Sequence, residues 1–275
     1  MSGLYDERAG DAASGLSGDD AGRPDPLERL NDAQREAVTH TGGPLIVLAG
    51  PGTGKTRVII SRIAHMVGDL GVDPATVLAL TFTNKAAGEM RERLAEALGP
   101  IAAEAVRAFT FNGFGAHALR RFSDLAGLPR EPELIDTAQR RRIMREIVDT
   151  RGLFADAVAS GLDGAIDSAV KLIGAMHARA LDPESAMDRL RARRAEIEAG
   201  LAGGVSPEAE MGLLADSARA DRLVDVVALW GAFEEACLER GLISYDDQLS
   251  RTNRLLAKSE MVRTILRSDH RHVVV

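Results

Sequence analysis

The chain has 275 residues, of which 45% are apolar and 4% aromatic, so it is long enough for one large or two small domains with an aliphatic core. No apolar run approaches the roughly 20 residues of a membrane span, and the N-terminus lacks the order of a signal peptide, which argues against a membrane protein and predicts a cytoplasmic location. The net charge of −7 does not exclude nucleic-acid binding, because a local basic surface can still meet phosphate.

Residues 1–25 are expected to form a disordered tail. They include six acidic residues and few large apolar ones, so they cannot bury enough surface to offset the entropy of ordering. A short helix is predicted to follow, ending near Val38. The apolar run at residues 45–48 then enters a glycine-rich turn, which is typical of a strand buried on both faces of a parallel sheet. Apolar residues at helical spacing over 55–67 complete a strand, a loop and a helix.

The same order recurs twice along the next part of the chain. Strands are predicted at residues 77–82 and 106–110, and helices at residues 84–98 and 113–122. Three strands that alternate with helices predict an α/β fold, in which a parallel sheet is covered by helices on both faces.

The pattern changes after Pro129. Strand-like runs disappear between residues 137 and 238, where Ala, Arg, Glu and Leu recur at helical intervals. A helix is predicted at residues 245–256, and a new buried strand begins at 272–275, so the chain is expected to be truncated there. The expected organisation is a sheet domain at 26–130, an inserted all-helical subdomain at 131–240, and a return to the sheet domain at 241–275.

The glycine-rich turn is a candidate phosphate-binding loop. It reads Ala49, Gly50, Pro51, Gly52, Thr53, Gly54, Lys55 and Thr56. Glycines let the backbone approach a phosphate, and the loop opens a helix whose N–H groups point toward the anion. Lys55 would neutralise the β- and γ-phosphates and Thr56 would ligate Mg²⁺, which makes these two the candidate catalytic residues. Ala49 stands where the general motif has glycine, and the alternative is a turn with an incidental Lys-Thr pair.

A phosphate loop by itself indicates only nucleoside triphosphate binding, and further segments carry a more specific resemblance. Residues 30–38, LNDAQREAV, are similar to the Q motif of the UvrD/Rep/PcrA branch of superfamily 1 DNA helicases. The resemblance assigns Gln34 to the adenine edge, for which an amide is suited because it both donates and accepts hydrogen bonds. It also places Arg57 near the adenine. The resemblance implies a RecA-like sheet.

Two turns after predicted strands resemble the DNA-contacting motifs of the same family. Residues 81–90, TFTNKAAGEM, resemble motif Ia, and residues 109–114, FTFNGF, resemble motif Ib. Phe82 would stack on a base, and the alternative places Phe82 in the core with Asn84 as a helix cap. Asn112 stands where the family usually has histidine. The candidate DNA-binding residues are Thr81, Phe82, Thr83, Asn84, Lys85, Thr110, Phe111 and Asn112.

The last segments resemble the family's Walker B region. Residues 243–249, ISYDDQL, are similar to the acidic segment before the Walker B strand, and residues 271–275, RHVVV, resemble that strand, whose family continuation is Asp-Glu. That pair is expected to lie beyond the chain. Asp246 and Asp247 are interpreted as solvated or structural rather than as a metal site, because adjacent helical residues diverge by about 100°. Cys237, the single cysteine, is interpreted as a buried structural thiol.

The resemblance covers residues 27–130 and 240–275 and implies the N-terminal part of an ATP-dependent DNA helicase. The implied cofactors are ATP and Mg²⁺. The implied partners are single-stranded DNA, duplex/single-strand junctions and a C-terminal RecA-like domain of the same protein, with movement from 3′ to 5′. The chain alone is expected to bind ATP weakly and hardly hydrolyse it. The alternatives are the motor of a RecB-like helicase-nuclease, a small-molecule kinase, and a non-catalytic nucleotide-binding fragment.

Overall fold

The computed structural model describes residues 25–155, 161–204 and 206–275. They divide into two compact units, the first comprising residues 25–114 with 263–275 and the second comprising the described part of residues 115–262. The expected tail lies outside the described residues, apart from Asp25. The domain limits at residues 130 and 240 remain predictions.

A parallel sheet with helices between its strands forms the first unit. Its strands lie in the order β2 (Arg107–Thr110), β1 (Val77–Thr81), β5 (His272–Val274), and Thr81 of β1 is in register with Thr110 of β2. Parallel strands joined by helices confirm the predicted α/β class. The elements are α1 (Asp32–Thr39), α2 (Lys55–Gly68), a 3₁₀ turn (Pro74–Thr76), β1 (Val77–Thr81), α3 (Asn84–Leu98), α4 (Pro100–Ala105), β2 (Arg107–Thr110), the latter part of α12 (Glu260–Asp269) and β5 (His272–Val274).

The core of this unit lies between β1 and the two long helices. All five residues of β1 are buried, and the first four, residues 77–80, form an apolar run. Ile63 of α2 and Leu94 of α3 are fully buried in the same cluster. Burying one such side chain contributes about 1.5–3 kcal/mol, so this packing fixes where the loops after the strands emerge.

The predicted strand at residues 45–48 is wrong. These residues form no strand in the structure, and Ile46 and Leu48 are 86% and 94% exposed. A strand is held by hydrogen bonds to a neighbour about 4.8 Å away, and within the described residues nothing pairs with this segment. The predicted strand at 272–275 does form, as β5, but Val273 is more than half exposed rather than buried.

Helices build the second unit around Trp230, which is 0% exposed. A two-residue parallel pair, Glu133–Leu134 with Leu242–Ile243, is a small departure from the all-helical prediction. No helix of the described chain is both long and apolar enough to cross a membrane. The elements are α5 (Phe111–Arg121, which begins in the first unit), α6 (Ser123–Ala126), β3 (Glu133–Leu134), α7 (Thr137–Arg151), α8 (Leu162–His177), α9 (Pro183–Ala202), α10 (Pro207–Glu239), β4 (Leu242–Ile243) and α11 (Tyr245–Lys258).

Cys237 lies in this second core, on α10, which confirms the interpretation of a buried structural thiol. Burial, and next the charge of Asp247, raise the pKa of the Cys237 thiol to about 11. A thiol with so high a pKa is almost entirely protonated at neutral pH and therefore a poor nucleophile.

Candidate functional site

The glycine-rich turn adopts a conformation that depends on two of its glycines. Gly52 and Gly54 have φ angles of 76° and 84°, in the left-handed region that side chains with a Cβ avoid. Gly54 is the N-cap of α2, and a Cβ at Gly54 would lie 3.1 Å from Nε2 of Gln34. Residues other than glycine would therefore be strained at these two positions.

The N-terminus of α2 is open to an anion. Its glycine N-cap provides no side-chain hydrogen bond, and the first helical bond runs from Val58 N–H to Gly54 O. The N–H groups of Lys55, Thr56 and Arg57 therefore have no carbonyl partner one turn back in the helix. Together with the positive end of the helix dipole, such groups bind phosphate.

Lys55 lies folded against the same turn. Its Nζ donates to Gly50 O at 2.8 Å and to Ala49 O at 3.2 Å, and the Thr53 hydroxyl donates to Gly50 O at 2.8 Å. Lys55 and Thr56 are both exposed. The ammonium group is therefore held beside the open N–H groups by two carbonyl contacts that an incoming phosphate can replace.

Gln34 joins α1 to the turn. Its Nε2 donates to Thr53 O at 3.0 Å, and its Oε1 accepts from Asn31 N–H at 3.1 Å in a capping box at the start of α1. Each amide atom keeps one further site for a hydrogen bond. Arg57, which the family resemblance places near the adenine, is exposed.

A cavity of about 480 Å³ in the first unit is lined by Gln34, Thr53 and Lys55, but not by Thr56 or Arg57. Its polar lining comes from Asn31, Gln34, Thr53, Lys55 and Arg62. The cavity also touches the three valines that end the chain, and its volume falls within the range of small-molecule sites.

The turn after β1 exposes a large aromatic ring. Phe82 is 85% exposed, which contradicts the alternative that placed it in the core. Thr83, not Asn84, is the N-cap of α3 and accepts from Ala86 N–H at 3.1 Å. Thr81 is buried and donates to Thr83 O at 3.2 Å, so the two hydroxyls also have local structural roles.

The turn after β2 lies beside it. Phe111 places its ring 5.2 Å from the Phe82 ring, at a tilt of 43°. Thr110 Oγ1 accepts from Gly113 N–H at 3.0 Å. Asn112 differs from expectation, because its Oδ1 is buried and, among the described residues, has no hydrogen-bond partner. Its side-chain carbonyl oxygen is therefore not accessible to solvent.

Both predicted sites lie at one edge of the sheet. Phe82 and Phe111 follow the carboxyl ends of the paired strands β1 and β2. Val275, which follows β5, lines the cavity with Lys55, and β5 runs parallel to β1. In open α/β sheets this carboxyl edge is where ligands bind.

Sequence reasoning missed two features. Arg62 of α2 hydrogen-bonds three backbone carbonyls at the end of α1, and no short motif marks such a contact. In the second unit, one ligand atom each from His177, Glu234 and Asp247 lies within 4.8 Å of the others. Histidine and carboxylates would suit a metal ion.

The cluster of His177, Glu234 and Asp247 belongs to an ion-pair network rather than to a metal centre. Both Glu234 oxygens accept from Arg254, at 2.8–3.0 Å, and Arg251 lies 3.5 Å from the same carboxylate. Two guanidinium groups therefore occupy the carboxylate that a cation would need. Asp247 is 2% exposed and forms a capping box with Ser244, which confirms a structural role for it.

Replacing Asp247 by asparagine is expected to stabilise the second unit at neutral pH. Burial, and next the charge of Glu234, raise the pKa of Asp247, so its charged form is disfavoured in the folded state. A raised carboxyl pKa lowers stability above the folded pKa, and the loss is recovered as pH falls toward the unfolded pKa. Asp247→Asn keeps an acceptor for Ser244 N–H. At pH 7 the free energy of unfolding of Asp247→Asn, measured by urea unfolding followed by circular dichroism, should exceed that of wild type. The difference should shrink as the pH falls to ~4.

The neighbouring Asp246 supplies the control. Its side chain is 55% exposed, so Asp246→Asn should change the free energy of unfolding by less than about 0.5 kcal/mol at each pH. A destabilised Asp247→Asn variant, with a deficit independent of pH, would show that the buried charge is stabilising.

Comparison with known proteins identifies the family. The model of the UvrD/REP helicase N-terminal domain matches residues 30–275. The ATP-dependent DNA helicase PcrA of Leuconostoc citreum is 45% identical over 124 residues, 45% of this chain and 17% of that protein. The proteins of the same name from Bacillus subtilis (strain 168) and Staphylococcus aureus (strain Mu50 / ATCC 700699) are 43% and 39% identical over 127 residues, 46% of this chain and 17% of each. The matches to these relatives thus cover about a sixth of their length. The chain belongs to the UvrD/REP helicase N-terminal domain family.

Proposed function

We propose that this chain forms the ATP- and DNA-binding front part of an ATP-dependent DNA helicase that moves from 3′ to 5′ in the cytoplasm. One observation carries the proposal. The open N-terminus of α2, Lys55 and Gln34 converge on one cavity, at the sheet edge where Phe82 is exposed. A nucleotide site and a base-stacking site at one edge are what a DNA-dependent nucleotide hydrolase requires.

The chemistry of the cavity fits a magnesium-bound nucleoside triphosphate. The open N–H groups from Lys55 to Arg57 would hold phosphate oxygens, and the Lys55 ammonium would offset their charge. The exposed hydroxyl of Thr56 would be a ligand of Mg²⁺, and the ion would neutralise the charge of the bound phosphates. Gln34 would use its remaining donor and acceptor sites on the adenine edge.

The neighbouring turns fit an unpaired strand better than a duplex. An exposed Phe82, supported from the side by Phe111, offers a ring face on which any base can stack. Lys85 is exposed in the first turn of α3 and would contact phosphate together with Thr83 and Asn84. Partners of this chemistry are single-stranded DNA and its junctions with duplex.

Hydrolysis needs groups that these residues do not provide. Phosphoryl transfer to water requires a residue that orients the water and further cations that offset the developing charge. From the family resemblance, an Asp-Glu pair and the arginines of a second RecA-like domain would supply them. Residues 1–275 alone are therefore expected to bind ATP weakly and to turn it over poorly.

The test is DNA-stimulated ATP hydrolysis by the protein expressed with any sequence that flanks residues 1–275 in the gene. At subsaturating ATP, single-stranded DNA should raise the rate of ATP hydrolysis by about tenfold, because two coupled sites typically alter each other's affinity 5- to 150-fold. The same protein should displace a strand from a duplex with a 3′ tail but not with a 5′ tail. DNA-independent turnover would favour a kinase, and shortened DNA products would indicate a RecB-like helicase-nuclease.

A further inference from the structure

Arg62 donates hydrogen bonds to three carbonyl groups at the end of α1. Nη1 of Arg62 lies 2.9 Å from Ala37 O, 3.2 Å from Val38 O and 2.9 Å from His40 O. The last four carbonyls of a helix have no partner within it, and a cation there also complements the negative end of the helix dipole. Arg62 itself lies on α2, the helix that the phosphate loop opens. The contact therefore ties the end of α1 to the helix beneath the nucleotide cavity.

The other end of α1 is tied to the same loop. Gln34 donates to Thr53 O at 3.0 Å, directly before the glycine that caps α2. Because α1 has only eight residues, it is too short to be stable alone, and its position depends on contacts with the rest of the unit. Buried Ala37 and Val38 provide the apolar part of those contacts. Apolar contacts are not directional, so they do not fix the orientation of α1.

From this arrangement we infer that Arg62 is a positioning residue for nucleotide selection, which rests on the proposed function. It holds the end of α1 so that Gln34, one turn from the start, faces the base. The groups that would hold the phosphates are the open N–H groups of α2 and Lys55, and α1 contacts their loop through the bond from Gln34 to Thr53 O. Arg62 therefore affects the choice of base more than it affects triphosphate binding.

A comparison of ATP with GTP separates base selection from triphosphate binding. An amide pairs with the amino donor and ring-nitrogen acceptor of adenine, whereas guanine presents two acceptors at the same edge. Arg62→Gln should weaken ATP binding by about tenfold, and the binding of GTP and tripolyphosphate by less than twofold, since one well-placed bidentate pair discriminates between bases by about 5- to 150-fold. The ratio of ATP to GTP affinity should fall accordingly. Arg62→Lys keeps a charged donor and should retain part of the ratio.

A double-mutant cycle with Gln34→Ala gives the decisive measurement. If Arg62 acts through Gln34, Arg62→Gln should add less than a twofold further change to the ATP/GTP ratio when Gln34 is already alanine. The measurement is equilibrium binding of ATP, GTP and tripolyphosphate to the protein expressed with any sequence that flanks residues 1–275 in the gene, with the unfolding midpoint recorded for each variant. Arg93→Gln, an exposed arginine on α3, is the matched control and should change none of these affinities.

The outcomes are distinguishable. Equal losses for ATP, GTP and tripolyphosphate, or an additive effect in the Gln34→Ala background, would overturn the positioning role while leaving the nucleotide site intact. If the Arg62→Gln variant does not fold, an Arg62→Lys variant with the wild-type ratio would overturn it instead. Wild-type protein that binds ATP no better than its Lys55→Ala variant would overturn the proposed function, and with it this inference.

Discussion

Lys55→Ala is expected to reduce DNA-stimulated ATP turnover by about 100-fold or more, the effect typical of removing one group that stabilises charge in a transition state. The side chain supplies a positive charge beside the open N–H groups of α2, held 2.8 Å from Gly50 O. Once it is removed, those N–H groups still attract phosphate, but nothing at this position offsets the charge that develops on the transferred group.

The variant should nevertheless fold. Lys55 is exposed, and its two contacts are with carbonyls of the exposed loop, so the free energy of unfolding should change by less than about 0.5 kcal/mol. Steady-state hydrolysis with saturating single-stranded DNA, by the protein expressed with any sequence that flanks residues 1–275 in the gene, measures turnover. Equilibrium binding of a fluorescent ATP analogue to the same protein measures affinity. Lys171→Ala, which removes an exposed lysine from α8, is the charge-matched control and should leave turnover unchanged.

Retention of more than half of the wild-type turnover by Lys55→Ala would mean that the cavity is not the hydrolytic site. Wild-type protein that binds ATP and DNA but shows no DNA-stimulated turnover would favour the alternative of a non-catalytic nucleotide-binding fragment.

Phe82→Ala is expected to weaken single-stranded DNA binding by about 5- to 150-fold, because stacking of one base on an aromatic ring is worth about 1–3 kcal/mol. Affinity for ATP without DNA should remain within twofold. The ring is 85% exposed and contacts Phe111, so its removal costs little of the core packing. Titration of a labelled oligonucleotide at one fixed salt concentration is the measurement, since phosphate contacts make the affinity depend strongly on salt.

An equally exposed apolar residue provides the control. Ile101 on α4 is also 85% exposed, so Ile101→Ala removes a comparable surface without touching either turn. Its DNA affinity should match wild type. Equal losses of ATP and DNA affinity in Phe82→Ala would show that the ring supports the fold of the unit and does not stack on a base.

Local signals in the sequence were sufficient for the elements that carry the site. The helix predicted at residues 84–98 has those bounds in the structure, because Thr83 caps its start and Gly99, with a φ of 80°, follows its end. The conformation of the glycine-rich turn was equally predictable, because Gly52 and Gly54 take positive φ angles that other residues avoid. Such features depend on residues within a few positions of each other.

The features that could not be predicted depend on contacts between segments that are far apart in the sequence. Whether residues 45–48 pair as a strand depends on which segments lie beside them, and that is not encoded in the run itself. The inward-turned oxygen of Asn112 and the contacts of Arg62 likewise depend on tertiary structure. Arg62 reaches carbonyls 22 to 25 positions away, beyond any motif that a short window of sequence can contain.

The position of Trp230 determines what intrinsic fluorescence can report. It is the chain's single tryptophan, and it is packed within the helical second unit with its ring centroid 4.8 Å from that of His177. An emission change on heating or in denaturant therefore records the melting of that unit. The cavity beside Lys55 is lined by residues of the other unit, so a direct optical report of its occupancy calls for an indole or dye introduced there.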